Sequence, residues 1–261
     1  MVDIATLPTV GALLRDWRTR RHLSQLGLAL EAGVSARHLS FLETGRSQPS
    51  QDMVLRLADH LEVPLRERNR MLLAAGYAPA YGEYDYEAPQ LGAAREAIDA
   101  ILRGHEPYPA VVVDRHWELV AANAAAGLLI EGVAAHLLEP PLNVLRASLH
   151  PQGGAPRIVN LAGWRAHLLE RLGRQAVATG DPALAALHEE LSGYPGGDPA
   201  PHAPGSEIAV PLKLRTDDGV LSFISTIATF GTATEVTMSE LAIESFFPAD
   251  AETAAALRSR S

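Results

Sequence analysis

Arg37 carries the clearest chemistry in the sequence. Its guanidinium can donate two parallel hydrogen bonds to O6 and N7 of a guanine, a contact worth roughly 1–3 kcal/mol of discrimination between bases. Ala36, Ser40 and Phe41 fall on the same side of a helix, and Ala36 could meet a thymine methyl. Phe41 has two open readings: contact with thymine methyls, or a seal against the loop that follows. His38 could reach a phosphate or stand in solvent. Gln25 opens another short helix, where an amide and the helix dipole can both meet a phosphate.

Elsewhere chemistry is scarcer. Ten histidines invite a metal site, yet no HxH, HxxxH or HExxH spacing occurs and there is no cysteine, so scattered core or surface histidines are the reading. No Ser-His-Asp constellation or glycine-rich phosphate loop is legible, and catalysis is unsupported. Among the central helices, Arg146, His150 and Arg157 are candidates to hold a carboxylate head group, with a plain surface position the alternative for each. Trp117, Asn123, Trp164, Phe223 and Phe230 are candidates to line an apolar pocket or simply to fill the core. The two roles overlap, because a pocket is lined by core.

The elements that must position the first group lie between Ser24 and Ser50, SQLGLALEAGVSARHLSFLETGRSQPS. Ser24 caps a helix over 25–32, and Gly33 stands where that helix must end in a left-handed conformation that suits glycine. Ser35 caps a second helix over 36–44. Ala29 is small where the two helices cross, and Leu26, Leu30, Val34, Leu39 and Leu42 read as the shared apolar seam. A small residue, a glycine four on and two spaced aliphatics form the helix-turn-helix pattern, which presents its second helix to a DNA groove. An ordinary helical hairpin inside an enzyme is the alternative.

Thr9 can cap a first helix over 10–22, with Val10, Leu13, Leu14 and Trp17 on one face. A fourth helix starts at Ser50, with Met53, Val54, Leu57, Ala58 and Leu61 as its buried stripe, and Val63-Pro64 breaks it. A fifth, over 65–75, is stopped by Gly76. The predicted organisation is an all-α five-helix domain over 1–78 and a linker or docking segment over 79–90. Four tyrosines between 77 and 89 favour docking over a free linker.

From Leu91 the pattern changes. A helix over 91–103 precedes the β-branched run 108–114, a turn and a return strand 117–122, after which Asn123 can cap a helix. Helices are expected at 134–138, 141–149, 161–179 and 182–191, and a Pro/Gly loop at 193–205. Strands follow at 207–215, 221–230 and 235–247, with a DDG hairpin at 217–219. The expected fold class is α+β, the second domain (91–261) resembling a PAS-like fold with an antiparallel sheet around an apolar pocket.

The 261 residues suit two domains. The net charge of −9 argues against a DNA binder until it is divided. Residues 1–80 hold ten Arg against eight acids, and residues 81–261 hold twelve basic residues against twenty-three acids. A slightly positive module is thus joined to an acidic one that should stay off phosphate. With no basic-then-apolar leader and no long apolar run, the expectation is a soluble cytoplasmic protein without a membrane partner.

The stretch with SQ at 24–25, GVS at 33–35, ETGR at 43–46 and PS at 49–50 resembles the lambda-repressor-like, or XRE-type, DNA-binding domain, with a match from about Val10 to Leu61. The resemblance implies that Arg18 pairs with Glu43 to hold the recognition helix. It also implies backbone contacts from the Arg46, Ser47 and Gln48 loop. With VVVDRHWELVAAN at 111–123 and ELAIESFFPAD at 240–250, the whole chain resembles the MmyB-like transcription regulators. That resemblance implies a PAS-like second domain that binds a lipophilic small molecule, a fatty acid being the known class. No other cofactor is expected, and the preference for Arg over Lys with abundant Ala suggests a bacterial coding sequence. Few bases are read by one copy, so a homodimer on an inverted-repeat operator of double-stranded DNA is expected. The DNA-facing set is then Gln25, Ser35, Ala36, Arg37, His38, Ser40, Phe41, Arg46 and Ser47. A constitutive repressor whose second domain only dimerises is the alternative.

Overall fold

A computed structural model describes residues 8–197, 210–217 and 219–260. The chain divides into two compact units: one takes the residues up to Asp85 together with Gly231–Ser239, the other Tyr86–Phe230 with Glu240–Ser261.

The first unit holds five helices in a row: α1 (Val10–Arg20), α2 (Gln25–Glu31), α3 (Ala36–Glu43), α4 (Gln51–His60) and α5 (Leu65–Ala74). Their starts follow from side-chain caps. Thr9, Ser24, Ser35 and Ser50 each accept a hydrogen bond from the backbone N–H three residues on, which satisfies a donor the helix cannot. Gly33 follows α2 at φ +66°, the left-handed conformation predicted for it, and Gly76, expected to stop α5, follows that helix in the same region at φ +85°. Leu14, Leu28, Leu39, Leu42, Val54, Leu57, Leu61 and Leu72 are fully buried in one core.

The apolar seam differs from the sequence expectation. Leu26 and Leu30 are 61% and 73% exposed, and α2 buries Leu28 and Ala29 instead, with Ala32 of its cap. The helix stops at Glu31, short of Val34, so the 26–30–34 spacing never forms a continuous face. Gly11 takes an unpredicted place in this core: a Cβ there would sit 2.4 Å from the Leu42 carbonyl oxygen, so α1 meets α3 backbone to backbone. Asn69 is buried and holds the tyrosine-rich stretch, accepting from the Ala80 and Tyr81 N–H groups at 3.0 and 3.1 Å and donating to the Tyr81 carbonyl at 2.8 Å.

The second unit begins with α6 (Gly92–Gly104) and continues through β1 (Ala110–Val113), β2 (Leu119–Ala122), α7 (Gly127–Ile130), α8 (Val144–Leu149), α9 (Leu161–Thr179), α10 (Pro182–Ser192), β3 (Leu212–Thr216) and β4 (Gly219–Thr229). The chain then passes through α11 (Val236–Ser239), β5 (Ala242–Pro248) and α12 (Ala251–Arg260). The five strands form one antiparallel sheet in the order β2-β1-β5-β4-β3. The last strand pair in sequence thus places β5 at the centre, beside β1. α9 buries Trp164, Leu168 and Leu172 in the same core as Leu212, Leu214, Phe223 and Phe246.

Residues 235–247, expected as one strand, split in two. Glu235 accepts from the Thr237 and Met238 backbone N–H groups and so starts the helical turn α11; only 242–248 enter the sheet. α12 was not foreseen. Asp250 starts it by accepting from Thr253 N–H at 2.7 Å, which holds the Asp250 carboxyl below its ordinary value. The expected loop residues 198–205, the strand start 207–209 and Asp218 of the hairpin lie outside the described residues.

Candidate functional site

In the helical unit, α3 is fixed from behind. Arg18 on α1 donates from Nε and Nη2 to the two Glu43 oxygens at 2.6 and 2.9 Å, and Nη1 bonds the Leu23 carbonyl. Gln25 donates its amide N–H to the same carboxylate at 2.8 Å. Burial alone would raise the Glu43 carboxyl, but the bonds from Arg18 and Gln25 outweigh it and hold the group below its ordinary value. The pairing expected for Arg18 and Glu43 is therefore present. The Gln25 side chain, expected at a phosphate, is committed to Glu43, so its backbone N–H at the start of α2 is what it can offer DNA.

The other face of α3 is open. Arg37 and Arg46 are exposed, and their guanidinium carbons lie 5.3 and 5.9 Å from the centroid of the half-buried Phe41 ring. The Phe41 carbonyl accepts from the Arg46 and Ser47 N–H groups at 2.8 and 3.2 Å, which folds the loop back on the helix. Phe41 thus packs beneath two cations and braces the loop. Ser35 is occupied as the cap of α3, accepting from His38 N–H. Ala36, His38 and Ser40 are partly exposed along the same short helix.

The second unit encloses a cavity of about 330 Å³ between the sheet, α9 and the α7–α8 segment. Its walls are mostly apolar: Val111, Leu119, Leu214 and Phe246 on strands, Trp164 and Leu168 on α9, Leu129 and Leu145 on the covering helices. Of the residues proposed from sequence, Asn123 and Trp164 line it. Asn123 is fully used by the backbone, accepting from the Ala110 and Ala126 N–H groups and donating to the Tyr108 and Leu102 carbonyls. It shapes the wall and offers nothing to a ligand.

Trp117 and Phe223 are buried in the core but outside the cavity lining, and Phe230 stands past the end of β4, half-buried. The three expected head-group residues lie outside the lining too, each with other partners. Arg146 pairs bidentately with Glu190 at 2.7 and 2.8 Å. Arg157 donates to the Leu128, Glu131 and Arg215 carbonyls. His150 accepts from Gln152 N–H and meets the His136 and Tyr194 rings edge-on.

The charged lining is Arg171 and Glu244, which sequence reading passed over. Glu244 is 4% exposed on the inward row of the central strand, paired across the sheet with Val111 and Ile227. Arg171 Nη1 reaches its Oε1 at 3.2 Å, and the Arg171 guanidinium carbon lies 4.3 Å from the Trp117 ring centroid. Arg171 Nε and Nη2 are buried and have no hydrogen-bond partner among the described residues. A signal was there to find. Trp164, Leu168, Arg171 and Leu172 form one helical stripe, and Glu244 alternates with Phe246; each charge interrupts an apolar row.

Comparison with known proteins agrees with this division. The helix-turn-helix family matches residues 14–68, and the family described as MmyB-like transcription regulator ligand binding domain matches residues 94–259. Uncharacterised HTH-type transcriptional regulators of Mycobacterium tuberculosis and Mycobacterium bovis are 34% identical over 108 residues, 41% of this chain and 38% of theirs. The match thus spans well under half the length of these relatives. Among solved structures, the restriction-modification controller protein C.AhdI from Aeromonas hydrophila is 34% identical over 24% of this chain and 97% of its own, at a TM-score of 0.23. The clp gene regulator ClgR from Corynebacterium glutamicum is 26% identical over 38% and 90%, also at 0.23.

Proposed function

Because this chain belongs to the MmyB-like transcription regulators, a DNA-binding helix-turn-helix joined to a ligand-binding domain, we propose that it is a bacterial, cytoplasmic homodimer whose grip on an inverted-repeat operator is set by a lipophilic molecule of the fatty-acid class. The reading rests above all on the cavity. Folded cores are close-packed with few voids, whereas about 330 Å³ of apolar-walled space falls in the size range of small-molecule sites.

On the DNA side, Arg37 is the base reader, and Arg46 and Ser47 hold phosphate. Chain connectivity supports a link between the two functions. The segment between β4 and β5 belongs to the helical unit, where Val236 N–H donates to the Gly82 carbonyl at 2.8 Å and Thr237 Oγ1–H to the Tyr84 carbonyl at 2.6 Å. A few residues later the same chain supplies Glu244 and Phe246 to the cavity wall. A ligand that moved β5 would pull on this segment, and regulation follows if it favours one arrangement over the other.

The test is extraction of the purified full-length protein with organic solvent, followed by mass spectrometry of the extract. A stoichiometric single-chain lipid supports the reading. No bound lipid, with no uptake of added fatty acid, leaves the alternative of a constitutive repressor whose second domain only dimerises.

A further inference from the structure

We propose that the free edge of Arg171 is the head-group site of the cavity: Nε–H and Nη2–H hold the two oxygens of a ligand carboxylate while Nη1 keeps Glu244. This deepens the ligand reading above and rests on the cavity being the ligand site.

Three observations carry it. First, Nε and Nη2 lie on one edge of the planar guanidinium, the edge whose two parallel N–H bonds match a carboxylate. Both are buried and unpartnered among the described residues, and buried donors in folded proteins are otherwise paired. Second, the cavity offers no competing polar anchor of this kind. Asn123 is saturated by four backbone groups, and Ser148 Oγ accepts from Trp164 Nε1 at 3.4 Å. Third, Glu244 meets Arg171 through a single contact at 3.2 Å, long for a charge-assisted bond. The cation is thus held in place from one side, with the Trp117 ring 4.3 Å away, and its forked edge is left for a second anion.

A single apolar chain ending in an acid fits these donors. An ester or alcohol head would satisfy one of them and leave the other buried without a partner. Glu244 acts in the opposite sense to Arg171: it is a like charge beside the incoming acid, and it moderates the affinity.

The experiment uses delipidated full-length protein and the neutral apolar dye 1-N-phenylnaphthylamine, displaced in turn by tetradecanoic acid, its methyl ester and 1-tetradecanol. The acid should displace the dye at concentrations about tenfold or more below the ester, the factor expected of a hydrogen-bonded charge. Arg171→Met should abolish that preference, Arg171→Lys should restore part of it, and Glu244→Gln should strengthen acid binding. Equal displacement by acid and ester in the unaltered protein overturns the head-group assignment and leaves the cavity reading standing. Failure of the dye and all three competitors to bind overturns both.

Discussion

Arg18 reaches 25 residues along the chain to hold both oxygens of Glu43, at 2.6 and 2.9 Å, with neither side chain open to solvent by more than 13%. The pair reads no base. It fixes the angle of α3 against α1, and every contact attributed to Arg37 depends on that angle.

Removing one partner strands the other charge in a buried setting. Glu43→Ala is expected to lower the stability of the helical unit by roughly 3–5 kcal/mol, as for other broken buried pairs, and to abolish operator binding. Thermal or urea unfolding checks the first and a mobility-shift titration the second. The pH dependence has a definite sign. The folded-state carboxyl of Glu43 is lowered, so its contribution is complete above the ordinary carboxylate value of about 4.3 and is lost as pH falls through the lowered folded value. Acid unfolding of the unaltered protein should therefore shift to higher pH when Arg18 is replaced by Gln.

Arg37 and Arg46 flank one aromatic ring but should differ in kind. Arg37→Ala is expected to relax preference at one base position per half-site by about 1–3 kcal/mol, while Arg46→Ala weakens all sequences alike and flattens the salt dependence. Selection from a randomised operator library, followed by affinity at two salt concentrations, separates the two.

Gly11 tests the packing of α1 on α3. A methyl at this position would lie 2.4 Å from the Leu42 carbonyl oxygen and 2.8 Å from that of Glu43. Gly11→Ala must push the helices apart and is expected to destabilise by roughly 1–3 kcal/mol, the usual range for overpacking. It should also weaken the Arg18–Glu43 bonds, visible as lower operator affinity than the stability loss alone explains.

Thr237 tests the proposed link. Its hydroxyl donates to the Tyr84 carbonyl and accepts from Tyr84 N–H at 3.3 Å. Thr237→Val keeps the shape and removes both bonds. Ligand affinity should be retained while the effect of ligand on operator affinity shrinks; an undiminished effect would remove this segment from the coupling.

What could be read from sequence follows from how locally each feature is specified. Caps at Thr9, Ser24, Ser35 and Ser50, the left-handed Gly33 and the 161–179 helix are set by neighbours a few residues away, and all were legible. Leu26 and Leu30 were misplaced because a seven-residue helix is too short for its spacing alone to fix which face turns inward. The 235–247 run was misread because Val236 and Thr237 are strand-like residue types, whereas the Glu235 side chain bonding the next N–H groups makes a helical turn. The cavity's charged pair escaped for a different reason. Arg171 and Glu244 lie 73 residues apart and meet only when α9 crosses the central strand. Arg146 and Arg157 were plausible by type, but the partners that occupy them, Glu190 and the Leu128, Glu131 and Arg215 carbonyls, lie 26 to 58 residues away in sequence.

Operator affinity measured on one preparation of full-length protein before and after removal of bound lipid tests the central claim most directly, with tetradecanoic acid added back as the control. If the cavity governs DNA binding, the operator Kd changes by at least about fivefold on removal, the low end of allosteric coupling, and returns when the acid is restored. The same Kd in all three states would contradict it.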